Sequence, residues 1–218
     1  RVVVVGGSTR TSGPPSPVLG PRVLRFVQSA LDRRGGVQTS VVDPRVLALP
    51  LLEKPHFAYA PSRVPDNLRE LHEVLSAADA YVMVTPEYNH APSPGLLNVL
   101  NHFGSSVFSF KPSAIVSYSA GQWGGTRAAL ALRPILSELG CLPVSAMCHI
   151  PKAQEALDAD GAVTGDEQAV ARWDAYADRC FSQLEWWSAA AKSHRQRIDP
   201  ATGSPPFLAA PSQRNAPG

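Results

Sequence analysis

Residues 2–5 are four consecutive valines, and Gly6-Gly7-Ser8 follows at once. Valine is β-branched and suits a pleated strand, and four in a row leave no side of that strand for water. A strand buried on both faces belongs to a parallel sheet covered by helices above and below, and the glycine pair ends it in a tight turn. The run therefore points to an α/β fold before the rest of the chain is read.

The rest repeats the unit. After the segment 11–21, which contains Pro14, Pro15, Pro17 and Pro21, the residues Val23, Phe26, Val27, Ala30 and Leu31 mark one face of a helix that Gly35-Gly36 ends. Val37 to Val42 reads as a second strand. Leu68, Leu71, Leu75 and Ala78 then recur at helical spacing, with a start at Pro65 or Asp66. Ala80 to Thr85 is the third strand, Leu96 to Phe103 the third helix and Ala114 to Tyr118 the fourth strand. Gly124-Gly125 opens a helix with Ala128, Leu132, Ile135, Leu136 and Leu139 on its apolar side, and Cys141 to Met147 reads as the fifth strand. Val170, Trp173, Ala177, Cys180, Leu184 and Trp187 step by three and four through a last amphipathic helix. Five strands alternating with five helices predict a parallel sheet covered on both faces. Residues 1–192 form one expected domain, and 193–218, rich in Pro, Gly, Ser and Ala, read as a disordered or extended tail.

Composition narrows the function. The 218 residues are 44% hydrophobic, enough for one sizeable core. Their net charge of +2 comes from 20 basic and 18 acidic side chains without a basic stripe, so nucleic acid is not an expected partner. Cys141, Cys148 and Cys180 show no CxxC spacing and the six histidines no HxxxH pair, so neither a disulfide framework nor a metal is expected. A cytoplasmic location follows as the expectation. No apolar run approaches the ~20 residues of a membrane span, and the opening valines are too few for a signal peptide.

Ligands of such sheets bind beyond the carboxyl ends of the strands, beside the point where strand order reverses. Three loops lie there. The first, Gly6 to Gly13, offers small residues, hydroxyls and Arg10 beside a helix start, the parts of a phosphate cradle. It is neither GxGxxG nor a Walker A loop, so it suits a monophosphate better than a dinucleotide or a triphosphate. The second, Thr85 to Gly95, is stiffened by Pro86, Pro92 and Pro94 and presents a Tyr88/Asn89 edge to a flat heterocycle. The third, Ser117 to Arg127, is another small-residue turn, suited to the other side of such a ring.

Gly-Ser-Thr-Arg at 7–10, Pro-Glu-Tyr-Asn-His at 86–90, and the Ser-Tyr-Ser-Ala-Gly and Gly-Gly-Thr-Arg-Ala stretches within 117–128 together resemble the NADPH-dependent FMN reductase family. This group includes quinone, azo-dye and chromate reductases. The resemblance spans roughly residues 1–190 and implies a flavodoxin-like three-layer fold, with a five-stranded parallel sheet in the order 2-1-3-4-5. It also implies FMN as cofactor, NADPH or NADH as electron donor, and a small acceptor such as a quinone, flavin, azo compound or metal oxyanion. By resemblance Ser8 and Arg10 hold the FMN phosphate, with Gly20, Arg22 and Val23 as helpers. Pro86, Glu87, Tyr88, Asn89, Tyr118, Ser119, Ala120 and Gly121 flank the ring. The flavin carries the chemistry, so no side chain is expected to act as a catalytic group. Dimers or tetramers are implied too, with Trp123 and the helix at 96–103 as candidate contacts.

Two departures stand out. Relatives commonly carry a Lys and an Asp in the helix after the second loop, where this chain reads Leu96-Leu97-Asn98-Val99-Leu100-Asn101, and Ser12 to Pro17 lengthens the first loop. Two other functions remain open at this level. One is a non-catalytic FMN carrier or sensor. The other is a serine hydrolase built on Ser119 with His149, although residue 117 is Ser where a nucleophile elbow requires Gly.

Overall fold

A computed structural model describes residues 1–47 and 49–203. Strand β1 (Val2–Gly6) leads through the first loop into helix α1 (Leu19–Asp32), β2 (Thr39–Val42) and α2 (Asp66–Ser76). Next come β3 (Ala80–Tyr88), the two-residue β4 (Ala91–Pro92), α3 (Pro94–Asn101), the short α4 (Ser105–Phe108) and β5 (Ser113–Tyr118). The chain continues through α5 (Thr126–Glu138), β6 (Cys148–Ile150), the short α6 (Ala153–Ala156), the long α7 (Glu167–Arg197) and the single turn α8 (Pro200–Gly203).

The sheet runs β2-β1-β3-β5-β6, all parallel, with β4 paired antiparallel to β3. Counted over its parallel strands, this is the expected 2-1-3-4-5 order. The added β4 forms because β3 outruns its predicted end at Thr85. Glu87 and Tyr88 pair with Pro92 and Ala91, and Pro86 sits beside Tyr118 of β5.

Alternation along the strands sorts the core into two layers. Val2, Val4, Val82, Val84 and Val116 face α1 and α7, packing on Val23, Val27, Leu31, Phe181 and Leu184. Val3, Val5, Met83 and Ile115 face the other way, onto Leu71 and Leu75 of α2, Leu96 and Leu100 of α3, and Leu132 and Leu136 of α5. The four valines that opened the sequence thus feed both cores from one strand.

Two expected boundaries move. The last parallel strand is not Cys141 to Met147 but Cys148–Ile150, paired with Val116–Tyr118. Before it only Pro143 bridges Ser113, and a proline has no N–H for a ladder. The last helix passes the expected boundary at 192 and ends at Arg197. Lys192 donates to Asp79 at 2.8 Å, and Arg195 donates to Phe110 O at 2.7 Å and to Asp79 at 3.2 Å, which anchors this turn to the strand ends opposite the loops. The remainder of the expected tail, 204–218, lies outside the described residues.

Candidate functional site

The carboxyl ends of β1, β3 and β5 meet at one edge of the sheet, where the switch in strand order leaves a crevice. It is lined by Ser8, Arg10, Pro14, Pro15, Val18, Leu19 and Gly20 on one side and Pro86, Glu87, Tyr88, Tyr118, Ser119 and Ala120 on the other. Its volume is about 170 Å³.

Two buried side chains lace the three loops together. Ser93 caps α3, accepting from Leu96 N at 3.4 Å, and its hydroxyl donates to Gly7 O at 2.6 Å. Its own N–H donates to Thr85 Oγ1 at 3.0 Å, closing the second loop on itself, while the bond to Gly7 O ties that loop to the first. The fit is close: a Cβ on Gly95 would meet Gly7 O at 2.6 Å, which is why the second loop ends in glycine. Glu87 makes the second tie. Its Oε1 lies 2.5 Å from Arg127 Nη2, and its Oε2 accepts from the backbone N–H groups of Arg127 at 3.2 Å and Ala128 at 3.4 Å. A carboxylate there closes the N-terminus of α5, whose cap residue Gly125 has no side chain to do so. Burial works to raise the Glu87 pKa, but the Arg127 hydrogen bond and the amide bonds outweigh it and hold the carboxyl below the usual range.

The crevice suits a phosphorylated ligand. Helix α1 has Val18 as its N-cap, which makes no side-chain hydrogen bond, and no acidic residue in its first turn, so its positive end faces the crevice unneutralised. A Cβ on Gly20 would lie 2.9 Å from Ser8 Cβ and 3.3 Å from Tyr118 Oη, filling the space in front of that helix end. Burial pushes the Tyr118 phenol far above its ordinary pKa, so beside Ser8 it remains a neutral hydrogen-bonding group. Arg10 folds the proline-rich loop over this end, donating from Nη2 to Pro14 O at 2.8 Å.

Of the expected site residues, Ser8, Arg10, Gly20, Pro86, Glu87, Tyr88, Tyr118, Ser119 and Ala120 come together in the crevice. Four do not line it. Arg22 is buried, its guanidinium donating to Leu157 O at 2.7 Å and Pro17 O at 3.0 Å, so it braces the loop from beneath. Val23 points wholly into the core. Asn89, with φ 50°, is a corner of the turn between β3 and β4. Gly121 lies further along the third loop, where its carbonyl accepts from Ser119 Oγ at 2.8 Å and Lys152 N at 2.9 Å. Ser93 and Thr85 escaped the sequence reading, although a serine directly before a helix-starting proline is a capping signal.

The hydrolase geometry is not formed. Ser119 Oγ donates to Gly121 O, whereas His149 Nδ1 is bonded to Ser117 Oγ at 2.7 Å. Ser117 is fully buried and its single proton is directed to Gly124 O at 2.8 Å.

A parallel 2-1-3-4-5 sheet with a crevice bounded by the loops after its first, third and fourth strands defines the flavodoxin-like class. Solved structures share the architecture. The flavoenzyme NAD(P)H:(acceptor) oxidoreductase of Paracoccus denitrificans superposes with a TM-score of 0.65 at 23% identity, over 84% of this chain and 96% of that one. A flavodoxin of Pseudomonas aeruginosa does so at 0.50 and 16%, over 88% and 98%.

The chain belongs to the NADPH-dependent FMN reductase family, whose sequence pattern matches residues 1–155. Similar proteins include an NAD(P)H-dependent FMN reductase of Pseudomonas aeruginosa, 36% identical over 47% of this chain and 58% of that protein. An NADPH azoreductase of a Bacillus species is 38% identical over 29% and 35%, and a quinone reductase of Pseudomonas putida is 36% identical over 40% and 48%. The chain thus matches between about a third and three fifths of the length of these relatives.

Proposed function

We propose that the protein binds FMN in this crevice and acts as an NAD(P)H-dependent reductase of a small acceptor such as a quinone, flavin, azo compound or metal oxyanion. The observation that carries the reading is the uncapped N-terminus of α1, facing Ser8 and Gly20 across a crevice whose other wall is the Pro86–Tyr88 and Tyr118–Ala120 segments. Ser8, the first-turn amides of α1 and the remaining donors of Arg10 would hold the phosphate. Tyr88, Ser119 and Ala120, at the mouth, would bound the ring. The crevice volume of about 170 Å³ fits a phosphate and a short polyol chain.

Bound FMN supplies the two-electron chemistry, accepting from the nicotinamide and donating to the acceptor. The chain's own contribution is position. The Ser93 and Glu87 ties fix the loops before any ligand arrives, so little ordering entropy remains to be lost on binding. Backbone amides of the second and third loops, fixed in the same way, would stabilise negative charge at the ring's polar edge. No side chain in the crevice is arranged as a nucleophile with its base.

Donor and acceptor would meet the same exposed face in turn. Steady-state kinetics should give parallel double-reciprocal lines for donor against acceptor, and intersecting lines would contradict a shared site. We include a homo-oligomer, dimer or tetramer, in the proposal: Trp186 and Trp187 of α7 are both exposed, 4.7 Å apart edge to face, an apolar surface suited to a second copy. Size-exclusion chromatography at micromolar concentration tests it. The three cysteines are buried free thiols, which supports a reducing, cytoplasmic setting.

A further inference from the structure

Across the third loop from the crevice lies a second concavity, an open groove of about 440 Å³ bordered by Trp123, His149, Arg172, Trp173 and Tyr176. It lies within the size range of small-molecule sites. Its walls are fixed independently of any ligand. Trp173 packs edge-on against Phe26 at 6.1 Å and Tyr176 at 5.9 Å. The Tyr176 hydroxyl accepts from His149 N at 3.0 Å, and Arg179 lies 5.3 Å over the Tyr176 ring. Trp123, 61% exposed, stands at the rim.

Charge is segregated around α7. Asp174 pairs with Arg33, and Asp178 and Glu185 pair with Arg34, so these carboxylates are engaged with the end of α1. Arg172 lines the groove and has no ion-pair partner among the described residues, and Arg179 stacks on the Tyr176 ring. No carboxylate lines the groove. His149 is a neutral acceptor among the lining groups: since Ser117 Oγ gives its proton to Gly124 O, it accepts from His149, so Nδ1 carries the imidazole proton and Nε2 keeps its lone pair. Burial and the nearby Arg179 lower the His149 pKa, which preserves that neutral form.

We infer that this groove is a binding site for a planar aromatic carboxylate bearing a hydroxyl group. The ring lies among Trp123, Trp173 and Tyr176, the carboxylate meets Arg172, and the hydroxyl donates to His149 Nε2. The site is separate from the flavin crevice and does not require it to be filled.

The test is isothermal titration calorimetry of the full chain with 4-hydroxybenzoate, using phenol and cyclohexanecarboxylate as controls. Saturable binding of one molecule per chain is expected, at least tenfold tighter than either control. Arg172→Gln should weaken it by about tenfold, the loss of one charge-assisted contact, and Trp123→Ala by severalfold. Both side chains are exposed, so the fold should persist, with circular dichroism as the check. Prior saturation with FMN should leave the affinity unchanged. Absence of saturable heat, wild-type affinity in both variants, or displacement by FMN would each overturn the proposal. Loss of flavin binding alone would refute the crevice reading and leave this one standing.

Discussion

Removing the charge of Glu87 should loosen two loops at once. Its carboxylate closes the first turn of α5 through two backbone N–H groups and pairs with Arg127. A helix cap contributes about 1 kcal/mol and a negative charge at a helix N-terminus about 0.5 kcal/mol. The ion pair adds no more than about 0.5 kcal/mol, because the Arg127 side chain is 43% exposed although that of Glu87 is only 8% exposed. Glu87→Ala should therefore destabilise by about 2 kcal/mol, lowering Tm by roughly 4–8 °C in a domain of this size. Glu87→Gln keeps one acceptor oxygen and loses the charge, so about 1 kcal/mol is expected. Because the folded carboxyl titrates below its unfolded value, its contribution is fully present above the ordinary glutamate pKa of about 4.3 and drains away as pH falls through the folded value. The gap between wild type and Glu87→Gln in urea denaturation should accordingly narrow over that acidic window. A variant as stable as wild type at pH 7, or a gap that widens on acidification, would refute the tie.

Other consequences follow from the same geometry. Ser93→Ala leaves Gly7 O without its buried donor and should cost about 1–3 kcal/mol by chemical denaturation, with weaker flavin retention on dialysis. Gly20→Ala puts a methyl 2.9 Å from Ser8 Cβ in the cradle, so the variant should fold by circular dichroism yet purify with little or no flavin. A yellow Gly20→Ala protein of normal affinity would move the phosphate elsewhere. Nitrogen-15 NMR of the His149 ring should show the proton on Nδ1 at neutral pH, and an Nε2-protonated ring would remove the acceptor invoked in the groove.

The sequence disclosed the layers and the three loops because both leave periodic or compositional marks. The valine run, the spacing of Leu68, Leu71 and Leu75, and the glycines after the strands are local signals, and the elements stand where those signals put them. The last parallel strand was misplaced because only three residues form it, selected by pairing with β5 rather than by their own propensity. The end of α7 was misjudged for a similar reason: residues 193–197 are polar, and contacts to Asp79 and Phe110, far away in sequence, keep them helical.

The site divides in the same way. That the segments carrying Ser8, Tyr88 and Ser119 converge on one crevice was legible from the strand ends, but the direction of a side chain was not. Arg22 and Val23 adjoin the cradle in sequence, yet one braces backbone carbonyls and the other fills the core. Glu87 stands at the crevice, and what only three dimensions reveal is that its hydrogen bonds join segments separated by 40 positions.

The most direct test of the account is the visible spectrum of the purified protein under anaerobic conditions, before and after addition of NADPH or NADH. A flavin spectrum that bleaches with the donor and returns when a quinone is added is the predicted result. Protein that takes up no FMN, or that holds FMN which neither nicotinamide bleaches, would contradict it.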